Sequence, residues 1–511
     1  MNPTRREFLS MAAFLGIHTH PITQTLLWAN DTKSEPKSSQ GPEGENPYLE
    51  SVYAPVNEER LITDLEVVGK IPNEICGAYF RNGPNPQYPT NPHHWFDGDG
   101  MVHRVGIRQG RAEYCNRYVQ TAAWKREKYW GKIYPGIIEA SKPQFVPGVI
   151  ANMALLGGPV KDTSNTDLII FRDQVISLWW LSGVPYALDP ETLEPQGIAE
   201  FKGYSGNVSA HCRIDPRTGE LFFMNFSQIR GWVSVVAIGS DGHYKWSRDF
   251  ALDFPKIFHD ILFTENYVIL MDFPVGMKFY PTATVGLFRE YASRIILIPR
   301  DGKSPEIIFE TDPCYVLHGL NAFEVNGTVQ ISVTKYVDPF LERPQLDTET
   351  PYVGTLRMET QSVLWTLDLQ DFSRKIQESV YDEENTEFAR INDDYLGVQS
   401  KYSYHPRVAR GGTVKFNGLI KMDWEKCRKS YIELPNGKYS DEFVFIPRAS
   451  RRSEDDGWVA SLIHDVTAGT QSFDIFDAYS FDPQPIASIQ IPGRVPAGFH
   501  SKWAESSLRL P

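Results

Sequence analysis

From Asn46 onward the chain is a succession of short β-branched and aromatic runs, none long enough for an ordinary helix, each closed by a turn signal. Asp167-Leu168-Ile169-Ile170-Phe171, Leu221-Phe222-Phe223-Met224, Tyr267-Val268-Ile269-Leu270-Met271 and Arg294-Ile295-Ile296-Leu297-Ile298 are typical runs. Asp215-Pro216-Arg217-Thr218-Gly219, Ser240-Asp241-Gly242, Arg300-Asp301-Gly302 and Val325-Asn326-Gly327 are typical stops. Runs of this length between Gly, Pro, Asn and Asp clusters read as strands joined by hairpins. No strand–helix alternation is present, so a parallel nucleotide-binding sheet is not expected. At this length a radial all-β solution, a propeller with divergent blades, leaves the fewest exposed sheet edges. No strict 40–50-residue repeat is visible, which sets aside ordinary WD and kelch arrays. Helical tendency is confined to 121–134, 137–156 and 282–291, read as insertions over one face.

The charge balance argues against nucleic acid as a partner. With 51 Lys and Arg against 64 Asp and Glu, the net charge is −13, whereas a phosphate-binding surface needs clustered cations. The one dense basic run, Arg448 to Arg452, is followed at once by Glu454, Asp455 and Asp456 and reads as a solvated loop. Five scattered cysteines make neither a disulfide framework nor a zinc motif. Cys212 and Cys314 stand near histidines and are either soft ligands or small buried hydrophobes. At the N-terminus, Arg5-Arg6 before the weakly apolar stretch 11–17 reads as a twin-arginine export signal over 1–30. A polar linker, 31–45, is expected to be disordered, and 46–511 forms one domain.

Four histidines lie in apolar settings far apart in the chain: Ala210-His211, Phe258-His259-Asp260, Leu317-His318-Gly319 and Gly498-Phe499-His500. Two readings are open at this point. Each is a hydrogen-bonded core residue, or all four converge on one metal ion, for which imidazole suits Zn, Cu, Fe and Ni. A metal site needs carboxylates to hold the far ring nitrogens. Glu387 in Thr386-Glu387-Phe388 and Glu442 in Asp441-Glu442-Phe443 are placed for that, since a lone Glu in an apolar run is costly unless paired. His93, His94, His103, His243, His405 and His464 read as surface or structural residues, and Glu324 as a structural hydrogen-bonding residue. Asp97-Gly98-Asp99-Gly100 reads as a tight turn rather than a calcium loop.

The chain resembles the carotenoid cleavage oxygenase family, which includes the retinal pigment epithelium isomerase and bacterial lignostilbene dioxygenases. The resemblance runs from about 46 to about 503. It is carried by Gly77-Ala78-Tyr79-Phe80-Arg81-Asn82-Gly83-Pro84-Asn85-Pro86, Trp95-Phe96-Asp97-Gly98-Asp99-Gly100-Met101, Ala210-His211, His259-Asp260 and His318-Gly319-Leu320-Asn321. Further blocks are Glu387-Phe388-Ala389-Arg390-Ile391, Glu454-Asp455-Asp456-Gly457-Trp458 and Gly498-Phe499-His500. It implies a seven-bladed β-propeller with a helical dome over an axial Fe(II), bound by His211, His259, His318 and His500, with Glu387 and Glu442 each holding a ligand histidine. It also implies an apolar tunnel and cleavage of a conjugated double bond with O2 to two carbonyl products. The substrate would be a carotenoid or apocarotenoid, drawn in by contact with a membrane surface. Polyene isomerisation, stilbene cleavage and a non-catalytic apolar-ligand propeller are the alternatives. One departure stands out: the family usually has a third glutamate where this chain has Leu181, in Trp179-Trp180-Leu181-Ser182-Gly183-Val184-Pro185-Tyr186. His259 is the ligand expected to lose its anionic partner. Trp180, where stilbene-cleaving members carry Lys, favours a longer polyene.

Overall fold

The computed structural model describes residues 46–505 apart from 90–92, 133, 135, 137–159, 228–229, 279–283 and 341–348. The export signal, the linker and the helix read at 137–156 lie outside the described residues.

The apolar runs form seven antiparallel sheets arranged as the blades of a propeller. The first holds Gly77–Pro84, Gly100–Arg108 and Arg111–Tyr118, with Arg60–Ile62 on one edge and Ser501–Glu505, from the other end of the chain, on the other. The second runs Asp167–Phe171, Gln174–Leu178, Tyr186–Leu188, Pro195–Ile198; the third, Arg213–Ile214, Leu221–Phe226, Trp232–Ile238, Tyr244–Ala251. The fourth is Ile261–Phe263, Tyr267–Asp272, Ser293–Pro299, Ile307–Thr311, and the fifth is Val316–Val325, Thr328–Tyr336, Thr360–Asp368, Gln377–Asp382. In the sixth, residues 386–390 bridge to Tyr402–Val408, followed by Phe416–Asp423 and Arg428–Glu433. The seventh is Val444–Pro447, Gly457–Asp465, Thr470–Asp477 and Ala487–Ile491, edged by Val67–Gly69. The short strand Lys438–Ser440 pairs with both of these last sheets and joins them.

One edge strand of each blade faces the axis, Ser501–Glu505 in the first blade and the first strand in the others. Ile261–Phe263 lies against Arg213–Ile214 and Val316–Val325, and Ser501–Glu505 lies against Asp167–Phe171 and Val444–Pro447. The last strands face water, as the exposed pattern of Gln377–Asp382 and Arg428–Glu433 shows. Because successive side chains on a strand point to opposite faces, a strand inside a blade is buried on both. Phe223 packs into the apolar layer between blades two and three, and its neighbour Phe222 into the layer between blades three and four. That is why the runs read as continuously apolar rather than alternating. Turn chemistry closes them: Asp215 accepts the Arg217 N–H, and Gly219 takes φ +71, a conformation that suits glycine.

Among the described residues one α-helix, α1, spans Ala122–Trp130, shorter than the 121–134 expected. Thr121 caps it by accepting the Trp124 N–H, and Gly131 at φ +81 ends it. It is tied down by Trp124 against Met101 and Tyr118 and by Glu127 paired with Lys161, which also holds Asp99 at 2.5 Å. The helix expected over 282–291 is not formed. Thr284–Leu287 is instead a strand paired with Val275–Lys278, a hairpin inserted into blade four. Thr284, Val285, Gly286 and Leu287 alternate with period two, and Leu287 is buried in the core while Gly286 lowers helix propensity.

Candidate metal centre

The propeller brings one position of each inner strand to the axis. Going round the ring, these positions hold His500, Asp167, His211, His259, His318, Glu387 and Glu442. Each stands within the first three residues of its strand or just before it, so residues separated by hundreds of positions meet at one end of the axis. All seven are buried. The ring centroids of His211 lie 4.4 Å from His259, 5.0 Å from His318 and 4.5 Å from His500, and His318 lies 4.8 Å from His500.

The carboxylates fix how the rings face. Glu387 Oε2 stands 2.5 Å from His318 Nδ1, and Glu387 is itself held by the Tyr336 hydroxyl at 2.9 Å and the Phe388 N–H at 2.8 Å. Glu442 Oε1 stands 3.2 Å from His500 Nδ1, and its other oxygen accepts the Ser501 hydroxyl at 3.0 Å. A carboxylate at Nδ1 keeps the proton there and leaves Nε2 as a lone-pair donor facing the axis. His211 is held through its backbone. It takes φ +57, and its N–H donates to Asp167 Oδ2 at 3.1 Å. A left-handed conformation in a residue with a side chain costs on the order of 1 kcal/mol or more and places the ring where an extended backbone would not.

Burial, with the neighbouring imidazoles adding to it, pushes the His211 and His259 pKa well below the usual histidine value. His500 is lowered by burial, with Glu442 opposing. For His318 burial again lowers, but Glu387 outweighs it and the net shift is upward. Burial raises the Glu442 carboxyl, yet Arg390 and His500 reverse this and bring it to about 2. Burial thus favours the neutral, donating form at His211, His259 and His500, and Glu442 stands ionised beside His500.

These residues fit a metal ion. The ligand nitrogens of His211, His318 and His500 lie within 4.8 Å of one another. His259 Nε2 comes within 3.1 Å of His318 Nε2, close to the roughly 3 Å separating two nitrogens that share an ion at about 2.1 Å and right angles. His211 Nε2 is buried with no hydrogen-bond partner, a costly arrangement that coordination would relieve. His259 Nδ1 is buried without a partner as well. Leu181 packs with Trp179 and Ile257 in an apolar cluster two residues before His259 in the chain, so no carboxylate comes from that position.

The cluster divides two unlike spaces. On one side an apolar cavity is floored by His259, His318 and His500 and walled by Trp95, Phe96, Trp180, Leu317, Val353, Leu356, Met358, Phe388, Val414 and Phe499, with Thr166 the one hydroxyl among the described residues. No Asp, Glu, Lys or Arg lines it among the described residues. On the other side His211, His318 and His500 face Asp167, Arg213, Asp260, Arg390, Glu442 and Lys502.

The remaining sequence candidates fall elsewhere. His103 bonds Tyr114, His405 bonds Ser403, His464 bonds Asp441, and His243 pairs with Asp241 near the surface. Cys212 donates to the Ser209 carbonyl and Cys314 contacts Ser293; burial pushes both thiols up, Cys314 to about 11, which disfavours a thiolate ligand. Asp99 is occupied by Lys161 and the Gln87 N–H, as a turn residue. Glu324 accepts from the Thr264 hydroxyl at 2.6 Å and from Asn266, a structural role. Arg448 pairs with Asp456 and lies over Trp458. Asp167 was not singled out from the sequence, because an Asp opening an apolar run reads as the end of a turn.

Residues 53–505 match the family model of the retinal pigment epithelial membrane protein. A carotenoid cleavage oxygenase of Mycobacterium tuberculosis is 30% identical, with 92% of this chain and 100% of that protein covered. The carotenoid 9,10(9',10')-cleavage dioxygenase 1 of Phaseolus vulgaris is 29% identical over 89% of this chain and 88% of its own. Among solved structures, the Pseudomonas brassicacearum lignostilbene dioxygenase superposes with a TM-score of 0.78 at 24% identity, covering 91% of this chain and 100% of that one. Synechocystis apocarotenoid oxygenase, as a variant, gives 0.75 at 24% identity, covering 88% and 97%. Seven blades, an axial histidine cluster under an apolar cavity, and a match over nearly all the described residues agree: the chain belongs to the carotenoid cleavage oxygenase family, that of the retinal pigment epithelial membrane protein.

Proposed function

We propose that the protein is an Fe(II) dioxygenase that cleaves a conjugated double bond of a carotenoid or apocarotenoid with O2, giving two carbonyl products. The observation that carries this reading is that three histidines of the axial cluster form the floor of an otherwise apolar cavity. Ferrous iron held by His211, His259, His318 and His500 supplies the activation of O2 toward an electron-rich alkene. The chain's own part is to bind, orient and keep dry. Trp95, Phe96, Trp180, Phe388 and Phe499 present flat faces to a flat substrate, and such faces stabilise positive charge developing along a polyene. Glu387 and Glu442 hold His318 and His500 from outside the cavity, so their charges never meet the substrate.

Trp180 in the wall, with no charged side chain among the described lining residues, offers a phenol nothing ionic to engage, which favours a polyene over a stilbene. Such substrates reside in membranes, and the adjacent exposed aromatics Tyr129 and Trp130, 84% and 74% accessible at the end of α1, are apolar surface available for peripheral contact. Product analysis after aerobic incubation of the iron-loaded protein with an apocarotenal tests the activity. Two shorter carbonyl fragments support cleavage. A product of unchanged mass and altered geometry supports isomerisation, and unchanged substrate, retained by the protein, supports a carrier.

A further inference from the structure

The four histidines are not held alike. His318 and His500 have a carboxylate on Nδ1, and His211 is pinned through its backbone to Asp167. His259 has neither: its Nδ1 is buried without an acceptor, Leu181 packs with Trp179 and with Ile257 two residues before it in the chain, and the Trp180 ring lies 6.3 Å away. The ligand nitrogens of His211, His318 and His500 form a close group, and His259 falls outside it, although its ring lies 4.4 Å from that of His211 and its Nε2 lies 3.1 Å from His318 Nε2.

We propose that, on the metal-centre reading above, His211, His318 and His500 form the holding triad and His259 is a labile fourth ligand, weakened by Leu181. The chemistry follows from the ring. An imidazole that gives Nε2 to a cation gathers positive charge on its Nδ1–H, and an acceptor there both stabilises that charge and fixes the ring's aim. At His318 the acceptor is a full carboxylate, so the nitrogen is a stronger base and the ring cannot turn. At His259 the Nδ1 position meets no hydrogen-bond acceptor, so its metal bond is the weakest of the four. It is therefore the position most readily yielded to a small exogenous ligand, such as O2 or nitric oxide, entering from the cavity that His259 helps to floor.

The test is anaerobic Fe(II) affinity, measured by chelator competition on the full chain, with melting temperature as a check on folding. His318→Ala and His500→Ala are expected to lose affinity by at least tenfold more than His259→Ala does. Leu181→Glu is expected to tighten binding by roughly the 10–100-fold that such a partner is worth, and this gain should vanish in Leu181→Glu/His259→Ala. A His259→Ala penalty as large as that of His318→Ala overturns the inference, whether or not Leu181→Glu folds. Wild-type protein that binds no stoichiometric iron instead removes the metal-centre reading, and this inference with it.

Discussion

A glutamate one hydrogen bond behind a ligand imidazole affects the reaction without touching the substrate. Glu387 is buried and held by three groups, His318, Tyr336 and the Phe388 N–H. Replacing it with Gln preserves shape and removes the charge that favours a metal-bound His318. Glu387→Gln is expected to weaken iron binding by about 10–100-fold, read by chelator competition, with little change in melting temperature. The histidines and these two glutamates were legible because each is a costly residue in an apolar run. Asp167 was not, because the same residue at the mouth of a strand is ordinary turn chemistry. The backbone strain at His211 has no signature in sequence at all.

Among the elements, strands were easier to read than helices. Strands buried on both faces announce themselves as apolar runs, so blade content could be read directly. The stretch 282–291 misled because its residues suit either element until a partner is known, and Val275–Lys278 decides the matter by pairing with it. A Cβ on Gly498 would meet Arg81 Nη1 at 1.7 Å, and Arg81 makes a buried pair with Asp441 at 3.1 Å and donates to the Pro496 carbonyl at 2.7 Å. Gly498→Ala should cost about 3 kcal/mol, the lower range for breaking a buried pair, seen as a lower denaturation midpoint. Asp162 anchors the turn before blade two by accepting the Ser164 and Val184 N–H groups. Burial pushes its carboxyl up to about 6, those two bonds opposing. A folded pKa above the usual value of about 4 means its stabilising contribution is full below about pH 4 and is lost as pH rises through about 6. Asp162→Asn, neutral throughout, should therefore gain on the wild type in melting temperature between pH 4 and 7.

At the scale of the whole molecule, the chain closes on itself. Ser501–Glu505 pairs with Gly77–Arg81 in blade one and lies against the inner strands of the blades on either side, so the segment that delivers His500 also closes the propeller. A ligand set drawn from four blades forms only when the ring is complete, which couples metal binding to folding. A cofactor loaded on folding suits export of the folded protein. Arg5→Lys with Arg6→Lys is expected to leave the protein in the cytoplasm on cell fractionation, whereas unchanged export excludes the twin-arginine route. Oxygenation of a polyene in the cavity above the axial histidines is what the proposed function requires. It is tested most directly by supplying labelled O2 to the iron-loaded protein with an apocarotenal and weighing the products promptly, before carbonyl exchange with water. The account predicts two carbonyl fragments, each carrying one labelled oxygen, and none from His318→Ala. Fragments without label, or equal cleavage by His318→Ala, would contradict it.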